Sequence, residues 1–141
     1  MLFCFKKTRV AGVVLVSAVV LTFFFNELAI KNAVNRERPC TIDPTIPLAI
    51  EKPTSYSFPS GHTASCFAAA GALLFTYKKI GIPLVAFAVI MGFSRMYLFV
   101  HFPTDVIAGA ALGLLMAWVT VLIFRELKYD QKLNSLTLRR K

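Results

Sequence analysis

Ser94-Arg95-Met96-Tyr97-Leu98-Phe99-Val100-His101-Phe102-Pro103-Thr104-Asp105 is a polar corner between two strongly apolar runs, residues 80–100 and 106–124. Each run reaches the roughly 20 residues that a helix needs to cross the hydrocarbon core of a bilayer. The corner therefore predicts two membrane helices that turn at a membrane face. Pro103 suits the first turn of the second helix, where its missing N–H has no partner to lose, and Asp105 then falls in that same turn. A cation inside a membrane-length apolar run is costly and usually faces a polar cavity or marks a site. Arg95 is such a cation. His101 and Asp105 follow it, and a carboxylate beside an imidazole holds one tautomer for nucleophilic or acid–base work.

Two further apolar runs lie upstream, residues 10–30 and 63–77, the second short unless the turn at residues 60–62 begins it. The chain is 57% hydrophobic and 13% aromatic over 141 residues, with a mean hydropathy of +0.65. The expected fold is all-α: one integral membrane domain over residues 1–141, a bundle of about four transmembrane helices. Lys6, Lys7 and Arg9 precede the first run as they would in a signal peptide. That run is long for a signal peptide, and no small-x-small site follows Phe25, so it reads as a retained helix.

The net charge of +9 raises nucleic acid as a partner, and its distribution argues against it. Of 16 Lys and Arg, 11 fall at the N-terminus, at Lys78 and Lys79, or in the basic tail, residues 125–141. With four spans all three places share one side, which the positive-inside rule makes cytoplasmic. Both termini are then expected in the cytoplasm, with Lys31, Arg36, Arg38, Lys52 and Arg95 on or near the outer side of a cytoplasmic membrane. The bilayer, not nucleic acid, accounts for the charge. Cys4, Cys40 and Cys66 match no metal or redox spacing; Cys40 is expected to be reachable from outside.

Pro39 ends the first helix, and residues 40–59, with Pro44, Pro47, Pro53 and Pro59, read as an outer loop that partly covers a site. Ser60 reads as an N-cap for the second helix, leaving Gly61 and His62 in its first turn. Small residues crowd that helix, from Ala64 to Ala72, and recur at Ala108, Gly109, Ala110 and Gly113. Such residues let membrane helices approach closely, which puts the second helix at the centre. The third helix is expected to begin after Gly81, with Pro83 in its first turn.

If the helices alternate, three polar clusters meet at the outer face. Lys31, Arg38 and Arg95 supply cations, His62 and His101 imidazoles, and Asp105 a carboxylate. The N–H groups of Gly61 and His62 at a helix start add a place for an anion. Phosphate fits, because arginine matches it bidentately and lysine meets it as a point charge. Taken singly, each piece has an ordinary explanation: snorkelling for Lys31 and Arg38, a cap and turn for Ser60 and Gly61, a helix dipole for Asp105. Their convergence on one side, with both histidines of the chain, is what singles out a site.

Lys31-x6-Arg38-Pro39, Pro59-Ser60-Gly61-His62 and Ser94-Arg95-x5-His101-x3-Asp105 resemble the three signature motifs of the type 2 phosphatidic acid phosphatase family. These are membrane lipid phosphatases whose site is shared with vanadium haloperoxidases. The resemblance implies that His101 attacks phosphorus to form a phosphohistidine and that Asp105 orients it. It implies that His62 protonates the leaving oxygen and then activates water. Lys31, Arg38, Ser60, Gly61 and Arg95 would bind the phosphoryl oxygens, with no metal or other cofactor. The implied substrate is an isoprenoid or glycerolipid phosphate. Arg36 and Lys52, as further cations, favour a diphosphate such as undecaprenyl diphosphate.

Family members in bacteria usually carry six helices. Four spans fit a minimal member, a piece of a longer chain, or a bundle completed by a homo-oligomer. Phosphotransfer to an alcohol is the rival within the enzyme class. A non-catalytic protein binding anionic lipid is the rival outside it, though such a protein has no use for both histidines and Asp105.

Overall fold

A computed structural model of the chain describes residues 6–138, with side chains described from 9 to 127. Its described residues form helices and connecting turns without strands. In apolar surroundings a helix satisfies every backbone N–H and C=O within its own segment. Helix α1 (Lys6–Phe24) runs without a break into a π-helical turn (Phe25–Ile30) and a last α-helical turn, α2 (Lys31–Val34). Asn35 ends it in the left-handed conformation, φ 50°, and its N–H donates to the Lys31 carbonyl at 3.0 Å. Asparagine tolerates that conformation better than most residues.

Arg38 is extended, and Pro39 opens a single helical turn, α3 (Pro39–Ile42). The expected loop at 40–59 therefore begins as helix, because proline at N1 is already shaped for one. Cys40 is buried in that turn, only 3% exposed, which corrects its expected accessibility. The remaining loop leads to α4 (Gly61–Thr76), and Tyr77 alone separates α4 from α5 (Lys78–Tyr97). Helix α5 thus starts before Gly81, and Pro83 lies inside it. The reason is close packing: a Cβ on Gly81 would stand 2.3 Å from the backbone of Leu74, so this glycine serves the α4–α5 turn. Helix α6 (Pro103–Leu138) continues well past residue 124, and the expected tail is helical as far as it is described; residues 139–141 lie outside the described residues.

Among the described residues, three helical stretches are long and apolar enough to cross a membrane: Arg9–Ile42, Lys78–Tyr97 and Pro103–Leu127. Helix α4, with 16 residues, falls short of that length and is the central helix, packed against α1, α5 and α6. Its neighbours approach at glycines. A Cβ on Gly113 would meet the Ala64 carbonyl oxygen at 2.2 Å, and one on Gly109 the Ser60 carbonyl oxygen at 2.6 Å. Val14, Ala18, Ala68, Ala72, Ala117 and Val121 form the buried core. Larger apolar side chains point outward instead, with Ile90 66% and Ile107 69% exposed. That inversion of a soluble bundle is what a lipid environment favours.

Candidate active site

At one end of the bundle, the end of α1–α2, the start of α4 and the end of α5 meet the corner before α6. They enclose a cavity of about 860 Å³ lined by Lys31, Arg38, Gly61, His62, Arg95 and His101. Six of the eight residues expected from the sequence thus share one cavity wall. The other two, Ser60 and Asp105, are fully buried behind it. The close approach at Gly109 brings them together, and the Ser60 N–H donates to the Asp105 carbonyl at 3.0 Å.

His101 follows a tight corner in which Phe99 takes a left-handed φ of 56°. Its ring is 5% exposed and held on both nitrogens. Arg38 Nη1 lies 3.1 Å from Nε2. A guanidinium only donates, so Nε2 must accept and the proton sits on Nδ1. That nitrogen faces Asp105 Oδ2 at 3.5 Å and Ser57 Oγ at 3.4 Å. Burial pushes the His101 pKa below its ordinary value; the Arg38 guanidinium adds to this, while Asp105 opposes it. The imidazole is therefore neutral at neutral pH, with its Nε2 lone pair on the Arg38 side.

Asp105 gathers donors on both oxygens. Ser57 Oγ and the Phe102 N–H, the latter at 2.9 Å, donate to Oδ2, and Arg36 Nη1 donates to Oδ1 at 2.9 Å. The position of Asp105 in the first turn of α6 also suits the helix dipole.

The cations are held differently from one another. Arg38 is locked by the loop, donating to the Ser55 carbonyl at 2.7 Å, to Ser55 Oγ at 3.1 Å and to the Tyr56 carbonyl at 3.2 Å, and also to the Val100 carbonyl at 3.0 Å. Lys31 pairs with Glu27 at 2.7 Å and reaches Ser55 Oγ at 3.3 Å. Arg95 donates to its neighbour Ser94 Oγ at 3.2 Å and leaves the rest of its fork toward the cavity. Ser60 occupies the N-cap position of α4 but makes no side-chain cap. Its hydroxyl instead accepts from Thr63 Oγ1 at 2.9 Å, so the first N–H groups of α4 stay available to an anion.

Sequence reasoning missed Ser55, Ser57, Asn26 and Glu27. The serines sit in the covering loop, where no periodicity marks them; only their closeness to Pro59-Ser60-Gly61-His62 hinted at them. Asn26 and Glu27 lie on the π-helical turn and line the cavity. Arg36, expected to add charge for the substrate, is engaged by Asp105 instead, whereas Lys52 does line the cavity. Among the described residues, no three His, Cys, Asp or Glu gather as metal ligands.

The family profile of the PAP2 superfamily matches residues 11–129, most of the chain and all of this site. The chain belongs to the PAP2 superfamily. Among PAP2 relatives, it is 39% identical over 124 residues to an undecaprenyl-diphosphatase of Sulfolobus acidocaldarius, an alignment covering 86% of this chain and 58% of that one. It is 31% identical over 112 residues to the undecaprenyl-diphosphatase BcrC of Bacillus subtilis, covering 79% and 52%. The chain thus spans little more than half the length of these relatives. The crystal structure of Aquifex aeolicus LpxE superposes with a TM-score of 0.72 at 33% identity, covering 85% of this chain and 71% of that one. A PAP2-type phosphatidylglycerolphosphate phosphatase from Bacillus subtilis gives a TM-score of 0.65 at 26% identity, covering 89% and 64%.

Proposed function

We propose that this PAP2 chain hydrolyses a membrane lipid phosphate, most favourably undecaprenyl diphosphate, through a phosphohistidine on His101. One observation carries the reading. Nε2 of a buried, neutral His101 stands beside Arg38 in a cavity that also holds Lys31, Arg95 and His62.

In the first step the Nε2 lone pair forms a bond to the terminal phosphorus as the bond to the leaving oxygen breaks. His62 gives its proton to that oxygen, and Asp105 offsets the positive charge gained by the His101 ring. In the second step neutral His62 takes a proton from water. The water oxygen bonds phosphorus, and the P–N electron pair returns to His101. Arg38, Arg95, Lys31 and the N–H groups of Gly61 and His62 hold the equatorial oxygens throughout.

The names of the relatives support the isoprenoid diphosphate, and so does Lys52 at the cavity wall. The basic residues of the sequence favour an outward-facing site with both termini in the cytoplasm. A lipid could then keep its tail in the bilayer while its phosphate enters the bundle end.

Purified protein in excess EDTA should release phosphate from undecaprenyl diphosphate several-fold faster than from phosphatidic acid. The reverse preference would move the substrate to the glycerolipids. No release from any lipid mono- or diphosphate would sink the phosphatase reading.

A further inference from the structure

Arg36 is the cation that the substrate cavity does not use. It follows the left-handed Asn35, which turns the chain away from the helix that carries Lys31. Its Nη1 donates to Thr104 Oγ1 at 2.7 Å and to Asp105 Oδ1 at 2.9 Å, and its Cζ lies 4.1 Å from the centre of the Phe102 ring. Its own carbonyl accepts the Ser57 N–H at 2.8 Å, and Ser57 is the residue whose hydroxyl lies between His101 and Asp105. One residue thus touches the side chains or backbone of Asp105, Phe102, Thr104 and Ser57.

We infer that Arg36 is a positioning residue for the nucleophile, fixing the orientation of Asp105 and through it the Nδ1 proton of His101. The inference rests on the reading of His101 as the attacking group. Asp105 is 0% exposed, and a buried carboxylate needs charge and hydrogen bonds in place of water. Ser57 and the Phe102 N–H supply the bonds, and Arg36 supplies the adjoining charge. The fit to His101 has little slack, since Nδ1 is already 3.5 Å from Asp105 and 3.4 Å from Ser57. A carboxylate released on its Oδ1 side would lose that contact with a small rotation.

The other charged groups around the pair act from the cavity side. Arg38 and Lys31 bear on His101, and His62 of α4 and Arg95 of α5 line the same cavity. Among the described cations outside the cavity wall, only Arg36 reaches Asp105, so its removal leaves the cations that line the cavity in place.

The test uses the full chain in detergent micelles with isotope-labelled histidine, which gives two imidazoles to follow, His62 and His101. In the wild-type protein His101 should show the Nδ1–H tautomer at neutral pH. In Arg36→Gln the tautomer, held by Arg38, should persist, while the His101 Nδ1–H resonance should move upfield as its contact with Asp105 loosens and His62 is unchanged. Phosphate release from undecaprenyl diphosphate should fall about tenfold in kcat with KM within twofold. Arg36→Lys keeps the charge without the planar fork, so it should recover only part of kcat and of the Nδ1–H resonance.

An unchanged Nδ1–H resonance and kcat in Arg36→Gln would overturn the inference, even if its melting temperature fell. So would a raised KM at constant kcat, which would make Arg36 a substrate contact. If Arg36→Gln does not fold, Arg36→Lys decides: a wild-type Nδ1–H resonance and kcat would overturn the inference. Absence of turnover in the wild-type protein would refute the phosphatase reading, and the Nδ1–H response, read without substrate, would still decide the role of Arg36.

Discussion

His101 lies between Arg38 on one nitrogen and Asp105 with Ser57 on the other, and both contacts favour the form that can attack phosphorus. We expect brief reaction with labelled undecaprenyl diphosphate to trap an acid-labile, base-stable phosphoenzyme. His101→Ala should abolish both adduct and turnover, and an adduct surviving that substitution would refute the assignment. His62→Gln should behave differently. The leaving group is itself a phosphate and departs with little help, so the adduct should form and then accumulate for want of a base. The pH dependence follows from burial of His101. Its folded pKa is lowered, so an unfolded chain takes up a proton near pH ~6.5 where the folded one does not. Stability should therefore fall as pH drops below about 6.5, while the His101 limb of the rate profile lies below the ordinary imidazole range. Glu27 offers a separate check, since it holds Lys31 at 2.7 Å where the phosphate is to bind. Glu27→Gln should tighten vanadate inhibition several-fold; weaker inhibition would mean that Glu27 serves mainly to place Lys31. The residues with a chemical signature were legible in the sequence: two histidines, one carboxylate and cations inside apolar runs. Ser55 and Ser57 were not, because a hydroxyl becomes a partner of Arg38 or Asp105 only once the loop has folded over them.

Among the elements, α4 and α6 decide whether the site exists at all. Their approach at Gly109 and Gly113 leaves no room for a methyl group, with backbone oxygens 2.6 and 2.2 Å from where it would stand. Overpacking of this kind costs about 1–3 kcal/mol, and backbone atoms yield less readily than side-chain tips. Gly109 faces Ser60, one residue before the first turn of α4, whereas Gly113 faces Ala64, one turn deeper. Both alanine substitutions should lower the melting temperature in detergent. Gly109→Ala should also reduce kcat beyond what its stability loss explains, and equal kcat effects for the two would show that the site tolerates a shift of α4. The small-residue pattern made this contact legible in advance. The start of α5 was not, since Gly81 and Pro83 both read as signals of a helix beginning. Packing against Leu74 overrode them and drew the helix back to Lys78.

For the whole molecule, charge and apolar surface carry the argument about placement. Exposed Val20, Phe23, Ile90 and Ile107, at 61%, 60%, 66% and 69%, describe a surface that water would not tolerate and lipid does. The cavity lies at the bundle end opposite Lys78 and Lys79, because α4 runs away from the site and α5 returns to it. The sequence made the membrane class and the meeting of the three clusters legible through run lengths and the positions of basic residues. It gave no measure of the covering loop, whose fold depends on Arg38 and Arg36 drawing residues 55–57 inward. Orientation can be tested at that loop. Cys40 is too buried to report, but Ala49 is exposed. A membrane-impermeant maleimide should label Ala49→Cys in intact cells, in a background with the native cysteines replaced, while a cysteine placed at the exposed Lys79 should react only after permeabilisation. The reverse pattern would put the cavity in the cytoplasm. The substrate would then have to present its phosphate at the inner leaflet, and the positive-inside reading of this chain would fail with it.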